Sequence, residues 1–124
     1  SGWGYRNGSS FIDDDNVVTV EEPYYLLNPL PKIAVLSNRR IASSGEITLI
    51  AFKKVNNVRI FGTGTCGLST GNASFTLSDG SYLNLTTVII TDREQVKYGG
   101  RVPVDQNESP SEVVNKAVEW LQSE

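Results

Sequence analysis

Arg40-Ile41-Ala42-Ser43-Ser44-Gly45-Glu46 joins an apolar strand to an apolar helix, and this junction decides the fold. Before it, Ile33-Ala34-Val35-Leu36 has the pattern of a short buried strand, bounded by Pro31 and by Ser37-Asn38. After it, Ile47, Ile50, Ala51 and Val55 recur at helical spacing, with Lys53 and Lys54 expected in the last turn and Asn56-Asn57 as the stop. Ser43 therefore falls where a strand ends and a helix begins. Backbone N–H groups at such a start point outward unpaired, and the helix dipole favours negative charge there. That suits a serine nucleophile whose substrate must become an oxyanion. The same residues also spell a capping box, Ser43-x-x-Glu46, in which serine and glutamate satisfy each other's backbone donors. The two roles are compatible.

The chain as a whole sets wide bounds. Its 124 residues amount to one domain with a core of its own. A hydrophobic content of 39% with 20% charged residues is ordinary for a globular protein. Eleven basic against fourteen acidic residues leave a net charge of -3, so no nucleic-acid partner is expected. One cysteine, Cys66, allows no internal disulfide, and metal-ligand spacing is absent, so neither metal nor cofactor is expected. No apolar run is long enough to span a membrane. There is no methionine, which suggests a fragment or a processed product, and no histidine. A histidine-based triad therefore cannot be completed within these residues.

Working outward, residues 1–31 read as a partly irregular segment ahead of a more regular 32–124. Gly2, Gly4, Asn7 and Gly8 break any period near the start. Asp13-Asp14-Asp15 reads as a solvated turn, because the calcium-loop pattern fails at Val17. Val17 to Val20 is a candidate strand. Beyond the helix, Val58-Arg59-Ile60-Phe61 is a second buried strand, expected to run parallel to the first. Gly62-Thr63-Gly64-Thr65-Cys66-Gly67 fits G-x-G-x-x-G, but no helix pattern follows it, so a dinucleotide site fails its context test. It reads instead as a glycine-rich loop where backbone passes close to something. Ala73–Leu77 and Tyr82–Thr91 flank a Ser78-Asp79-Gly80-Ser81 turn and make a hairpin. Asp92 to Asp105 looks polar and irregular. Ser109-Pro110-Ser111-Glu112 opens a final helix whose apolar stripe, Val114, Ala117, Val118 and Leu121, is expected to face the core, with Trp120 at its margin.

These motifs in this order resemble the catalytic core of the tail-specific (C-terminal processing) serine peptidases. The likeness runs from Lys32 to Asp105 through Ala42-Ser43-Ser44-Gly45-Glu46-Ile47, the Gly-x-x-Thr-x-Gly loop and the Leu77-Ser78-Asp79-Gly80 hairpin. Phe61-Gly62-x-x-Thr65-x-Gly67-x-x-Thr70-x-Asn72, then Thr91-Asp92-Arg93 and Tyr98, are most similar to the nisin resistance protein branch. The resemblance implies a ClpP/crotonase-like α/β core and hydrolysis of peptides near their C-terminus. It places the nucleophile on Ser43, an oxyanion donor on the Ser44 backbone N–H, and substrate-side roles on Glu46, Thr65 and Gly67. Ile41 stands where threonine is usual. Where serine–lysine members carry the lysine, this chain has Leu68, which accepts no proton. Lys53 and Lys54 lie about ten residues further along the helix, roughly 15 Å from its start. A histidine from an upstream part of the polypeptide, with a second oxyanion glycine, is therefore implied, and these residues alone should be inactive. An extracytoplasmic, membrane-anchored parent protein is implied too.

Other functions remain open at this level. A non-catalytic peptide-binding protein on the same core is the main alternative, because fold does not fix function. Nucleotide binding through the Gly62 loop and a reactive Cys66 are weaker ones. Asn7, Asn72, Asn84 and Asn107 begin Asn-x-Ser/Thr triplets, acceptors only in a glycosylating host.

Overall fold

Ile60 and Phe61 are neighbours in sequence and point to opposite faces of one strand, and both are completely buried. That pair sets the architecture of the computed structural model, which describes residues 2–123. Strand β4 (Ile33–Ser37) leads through the 38–43 turn into α1 (Ser44–Phe52), and β5 (Val58–Gly62) returns parallel to β4, pairing Val35 with Ile60 and Ser37 with Gly62. On one face, Ile60 joins Leu49, Ile50 and Val102 in the core, with Val35, Ile90, Tyr98 and Val104 around it. On the other, Phe61 meets Trp120 of α2 (Val113–Gln122) at a ring separation of 5.8 Å. A parallel sheet covered on both faces wants apolar residues at successive positions, and β5 supplies them.

The remaining elements flank this unit. Strands β1 (Trp3–Arg6), β2 (Ser9–Ile12) and β3 (Asp15–Thr19) form an antiparallel meander. Strands β6 (Thr70–Thr76) and β7 (Tyr82–Ile89) form the expected hairpin, and β8 (Gln106–Asn107) adds a short third strand parallel to β5. One hairpin face carries Phe75 opposite Leu83 and Ala73 opposite Leu85; the other carries a polar ladder in which Thr86 donates to Asn72 at 2.8 Å.

The structure departs from the sequence expectations in five places. The first nineteen residues contain a meander instead of loose chain. Asn7-Gly8 (φ 52° and 79°) is the two-residue turn joining β1 to β2, and Asp13-Asp14 joins β2 to β3 as a solvated turn. Lys53 and Lys54 lie beyond α1, whose last turn holds no basic residue. Lys53 is instead buried and paired with Asp105 at 3.0 Å, and the same carboxylate accepts the Ile60 N–H at 2.8 Å. The 92–105 segment is irregular but not peripheral, since Val102 is fully buried. Strand β8, too short to show a period, was not legible. Finally, α2 is rotated by about one residue from its apparent stripe. Ala117 is buried and Trp120 half-buried, whereas Val114, Val118 and Leu121 are exposed. Packing on Phe61 and a cation–π contact from Arg59 to Trp120, at 5.2 Å, fix that rotation.

The glycine-rich loop begins with a close backbone approach, as its composition suggested. Gly62 has φ +114°, and a Cβ there would lie 2.1 Å from the Ser37 carbonyl oxygen. Gly62→Ala should therefore destabilise by about 3 kcal/mol or more, from overlap and strain together, read as a lowered urea midpoint. Ser37→Ala next to it should cost nothing or stabilise by up to about 1 kcal/mol, because the buried Ser37 Oγ has no hydrogen-bond partner among the described residues.

Candidate active site

Ser43 occupies a backbone conformation that only a tight turn imposes. Its φ and ψ are 52° and −117°, and the Gly45 N–H donates to the Ala42 carbonyl at 3.0 Å across it. Those angles are near the second residue of a type II′ turn, a position that glycine normally takes. A non-glycine residue there stores on the order of 1–3 kcal/mol of strain, and such residues gather at functional sites. Ala42 and Ser43 thus end the strand connection and open α1 within one turn. Ile41 sets its Cγ2 methyl 3.1 Å from where a Gly45 Cβ would be. Position 45 therefore has to stay small while Ile41 is there.

The turn leaves one donor free. Ser43 N–H donates to Glu46 Oε2 at 3.0 Å, Gly45 N–H to Ala42 O, and Glu46 N–H to Ser43 O at 2.9 Å. Ser44 N–H has no acceptor among the described residues. Ser43 and Ser44 are both exposed. An exposed hydroxyl beside an unpaired main-chain donor at a helix N-terminus is the geometry that acyl transfer needs, an attacking oxygen with a ready partner for the oxyanion.

Glu46 holds the turn and the glycine-rich loop together. Its carboxylate is fully buried and accepts from four groups: the Ser43 N–H, the Thr65 hydroxyl, the Gly67 N–H at 2.8 Å and the Leu68 N–H at 2.7 Å. Burial pushes its pKa up, but the Thr65 hydroxyl and the N–H groups of Gly67, Ser43 and Leu68 together hold it below the ordinary value of 4.5. Thr65, itself buried, accepts the Val102 N–H at 2.9 Å through the same hydroxyl, so the 100–102 segment joins the assembly. Cys66 N–H donates to Ile41 O at 2.8 Å and closes the loop against the turn. The predicted site residues Ser43, Ser44, Glu46, Thr65 and Gly67 are therefore brought together. They divide into an exposed pair, Ser43 and Ser44, and an underlying set that shapes the site from below.

Leu68 is exposed, and what it contributes is its N–H. Lys53 pairs with Asp105 and Lys54 with Glu94 at 3.2 Å, so neither amine serves Ser43. No cluster of three metal-ligating side chains occurs among the described residues. Exposed Cys66 is a free thiol. A second buried carboxylate was not anticipated. Asp92 accepts from the N–H groups of Glu94 and Val96 and from the Tyr98 hydroxyl at 2.9 Å. Against the cost of burial, those bonds hold its pKa below the usual carboxylate value, while burial and Asp92 raise that of Tyr98 to about 12. The Asp-x-Glu-x-Val-x-Tyr spacing was visible in the sequence, but nothing local marks an aspartate that folds a loop around itself.

Comparison with known proteins matches the pattern of Peptidase family S41 to residues 8–103. The nisin-resistance protein of Lactococcus lactis subsp. lactis is 32% identical over 92 residues, which is 74% of this chain and 29% of that protein. A lipoprotein from Streptococcus agalactiae superimposes with a TM-score of 0.63 at 40% identity, over 74% of this chain and 31% of that one. A candidate peptidase from Parabacteroides merdae superimposes with a TM-score of 0.63 at 16% identity, over 90% of this chain and 38% of that one. The α/β architecture is thus shared with solved structures, and this chain spans about a third of their length.

Glu46→Gln should cost about 2–4 kcal/mol, because an amide NH2 would face N–H donors. It should also flatten the acid limb of the stability curve. The Glu46 and Asp92 carboxyls have folded pKa values below their unfolded ones, so the unfolded chain binds more protons. Stability should hold above about pH 5 and fall as acid titrates through the lowered values. Urea unfolding of the wild type and Glu46→Gln between pH 3 and pH 7 measures both effects.

Proposed function

This chain belongs to peptidase family S41, and from that premise we propose that it carries the nucleophile side of a serine peptidase site, with Ser43 attacking the scissile carbonyl. The observation that carries this reading is Ser43 itself: an exposed hydroxyl in a strained turn, next to the unpaired Ser44 N–H. Strain at that position has no structural need, since glycine would take the turn at less cost.

The chemistry is ordinary acyl transfer. A base removes the Ser43 proton as Oγ adds to the carbonyl carbon, and the negative charge on the carbonyl oxygen falls to the Ser44 N–H and the positive end of α1. Removing one such donor costs about 3–4 kcal/mol of transition-state stabilisation in comparable sites. Collapse expels the amine, which takes a proton from the base, and water then releases the acyl group. No histidine occurs in the 124 residues, and Leu68 stands where serine–lysine relatives have their base. The base and a second oxyanion donor therefore come from polypeptide outside these residues, and the chain alone does not turn over.

In this reading an extended peptide lies along the 62–72 loop, whose shape Glu46, Thr65 and Gly67 fix through their hydrogen bonds. Lanthionine peptides of the nisin type are the substrate class that the Lactococcus relative suggests. The Streptococcus lipoprotein suggests a site outside the cytoplasm on a membrane-anchored parent protein, and no helix among the described residues is long and apolar enough to cross a membrane. The absence of a base within the chain also favours a second reading, a peptide-binding protein on the same core.

In the complete polypeptide, Ser43→Ala should lower kcat for peptide cleavage by at least about 1,000-fold with peptide affinity and the urea midpoint little changed. Retained cleavage would refute Ser43 as nucleophile. Tight peptide binding without cleavage by the wild type would establish the binding-protein reading instead.

A further inference from the structure

Strands β6 and β7 alternate in the way a half-buried sheet alternates. By register, Ala73 and Phe75 share one face of the hairpin with Leu83 and Leu85, and Leu77 continues it toward the turn. The opposite, polar face closes on itself, where Thr86 donates to Asn72 at 2.8 Å and Ser74 donates to Asn84. The apolar face does not close. Phe75, Leu77, Leu83 and Leu85 each leave 41–46% of their surface exposed. The two strands pack chiefly on each other and pair with no third strand among the described residues. A lone two-stranded hairpin is marginal in water, and a sheet with one apolar and one polar face ordinarily lays the apolar one on a core.

The composition of the hairpin says what kind of cover it takes. From Thr70 to Thr91 the sole charged side chain is Asp79, at the turn. Edge strands that stay in water are usually guarded by lysine or proline, and neither occurs in that stretch. An aromatic and leucines without charge mark permanent interfaces, which resemble a core cut in half, rather than surfaces that meet a partner briefly. The hairpin also grows out of the site. Leu68, whose N–H binds Glu46, lies two residues before Thr70, and Ser69 Oγ pins the hairpin root by accepting the Gly99 N–H at 3.0 Å and donating to the Gly100 carbonyl at 2.6 Å. A cover on this face is thereby anchored to the loop that Glu46 holds. These residues contain no histidine and span about a third of the relatives they match, so polypeptide of the required length and chemistry lies outside them.

We propose that the apolar face of the β6–β7 hairpin is a permanent intrachain interface, seated by the part of the complete polypeptide outside residues 1–124 that completes the Ser43 site. Burying that face turns a marginal hairpin into part of a core, and the same contact fixes the incoming segment relative to the Glu46-bound loop. The inference rests on the proposed peptidase reading for its purpose, but its readout is contact.

The test uses the complete polypeptide with a photo-crosslinking side chain on either face, Phe75→p-benzoylphenylalanine on the apolar one and Tyr82→p-benzoylphenylalanine on the polar one. Irradiated protein is separated by mass, and the joined peptides are mapped by mass spectrometry. The Phe75 probe should join, within one chain, to a peptide outside residues 1–124, and the Tyr82 probe should not. Leu83→Ala with Leu85→Ala should reduce that yield and slow peptide cleavage by about tenfold or more, as expected when two buried anchors are truncated. Leu83→Met with Leu85→Met, which keeps the face apolar, should preserve both. Two chains joined to each other, cross-links confined to residues 1–124, or no cross-link from Phe75 overturns the proposal. Contact with outside polypeptide in a protein that cleaves nothing leaves the interface standing and sinks the peptidase reading; cleavage by a protein whose Phe75 probe reaches no outside peptide does the reverse.

Discussion

The carboxylate of Glu46 is the constraint on which the rest of the site depends. A buried charge of this kind is tolerated only when its oxygens are filled, and four donors from two separated segments fill them. Because the donors come from both the Ser43 turn and the 65–68 loop, neither segment can shift without leaving the charge short of a partner. Thr65 extends the same network to Val102, which is itself part of the apolar core beneath α1. Order in the turn is thus transmitted from the core through one ion. A capping glutamate in an ordinary helix satisfies one backbone donor; here the same residue type holds a site together.

That arrangement explains how the strained backbone at Ser43 persists. The turn's own hydrogen bonds, Gly45 to Ala42 and Ser43 to Glu46, give the chain little freedom to relax into a relaxed β conformation. The cost is carried by the surrounding packing, as with Gly62 against Ser37, where two parallel strands approach too closely for any side chain. What the strain secures is that Ser43 stays exposed at the helix start while the next N–H is left without an acceptor among the described residues.

Much of this was legible in the sequence because the informative signals are local. Ile33–Leu36, Val58–Phe61 and the β-branched run from Thr86 are bounded by turn residues, and the two strands and the hairpin lie where those patterns put them. Ser43-x-x-Glu46 announced the helix start, and Gly62 announced a close approach. What escaped notice depends on contacts between distant residues. The rotation of α2 is set by Phe61, and its exposed Val114, Val118 and Leu121 form a better stripe on paper than the face that packs. Lys53 looked like a helix-end cation because Asp105 lies 52 residues away in the chain. The Asn7-Gly8 turn, by contrast, was a readable hairpin signal, obscured by the glycines around it. Glu46 was legible as a cap and as a family position, but its four donors were not.

The central claim is that Ser43 is a nucleophile poised by its turn, and covalent capture tests it most directly. The complete polypeptide would be treated with a fluorophosphonate, which phosphonylates an activated serine, and the adduct mapped by peptide mass spectrometry. The account predicts a single adduct on Ser43, absent from neighbouring Ser44 and lost when Glu46→Gln loosens the turn. An adduct on a different serine, or peptide cleavage that continues with Ser43 unmodified, would contradict it.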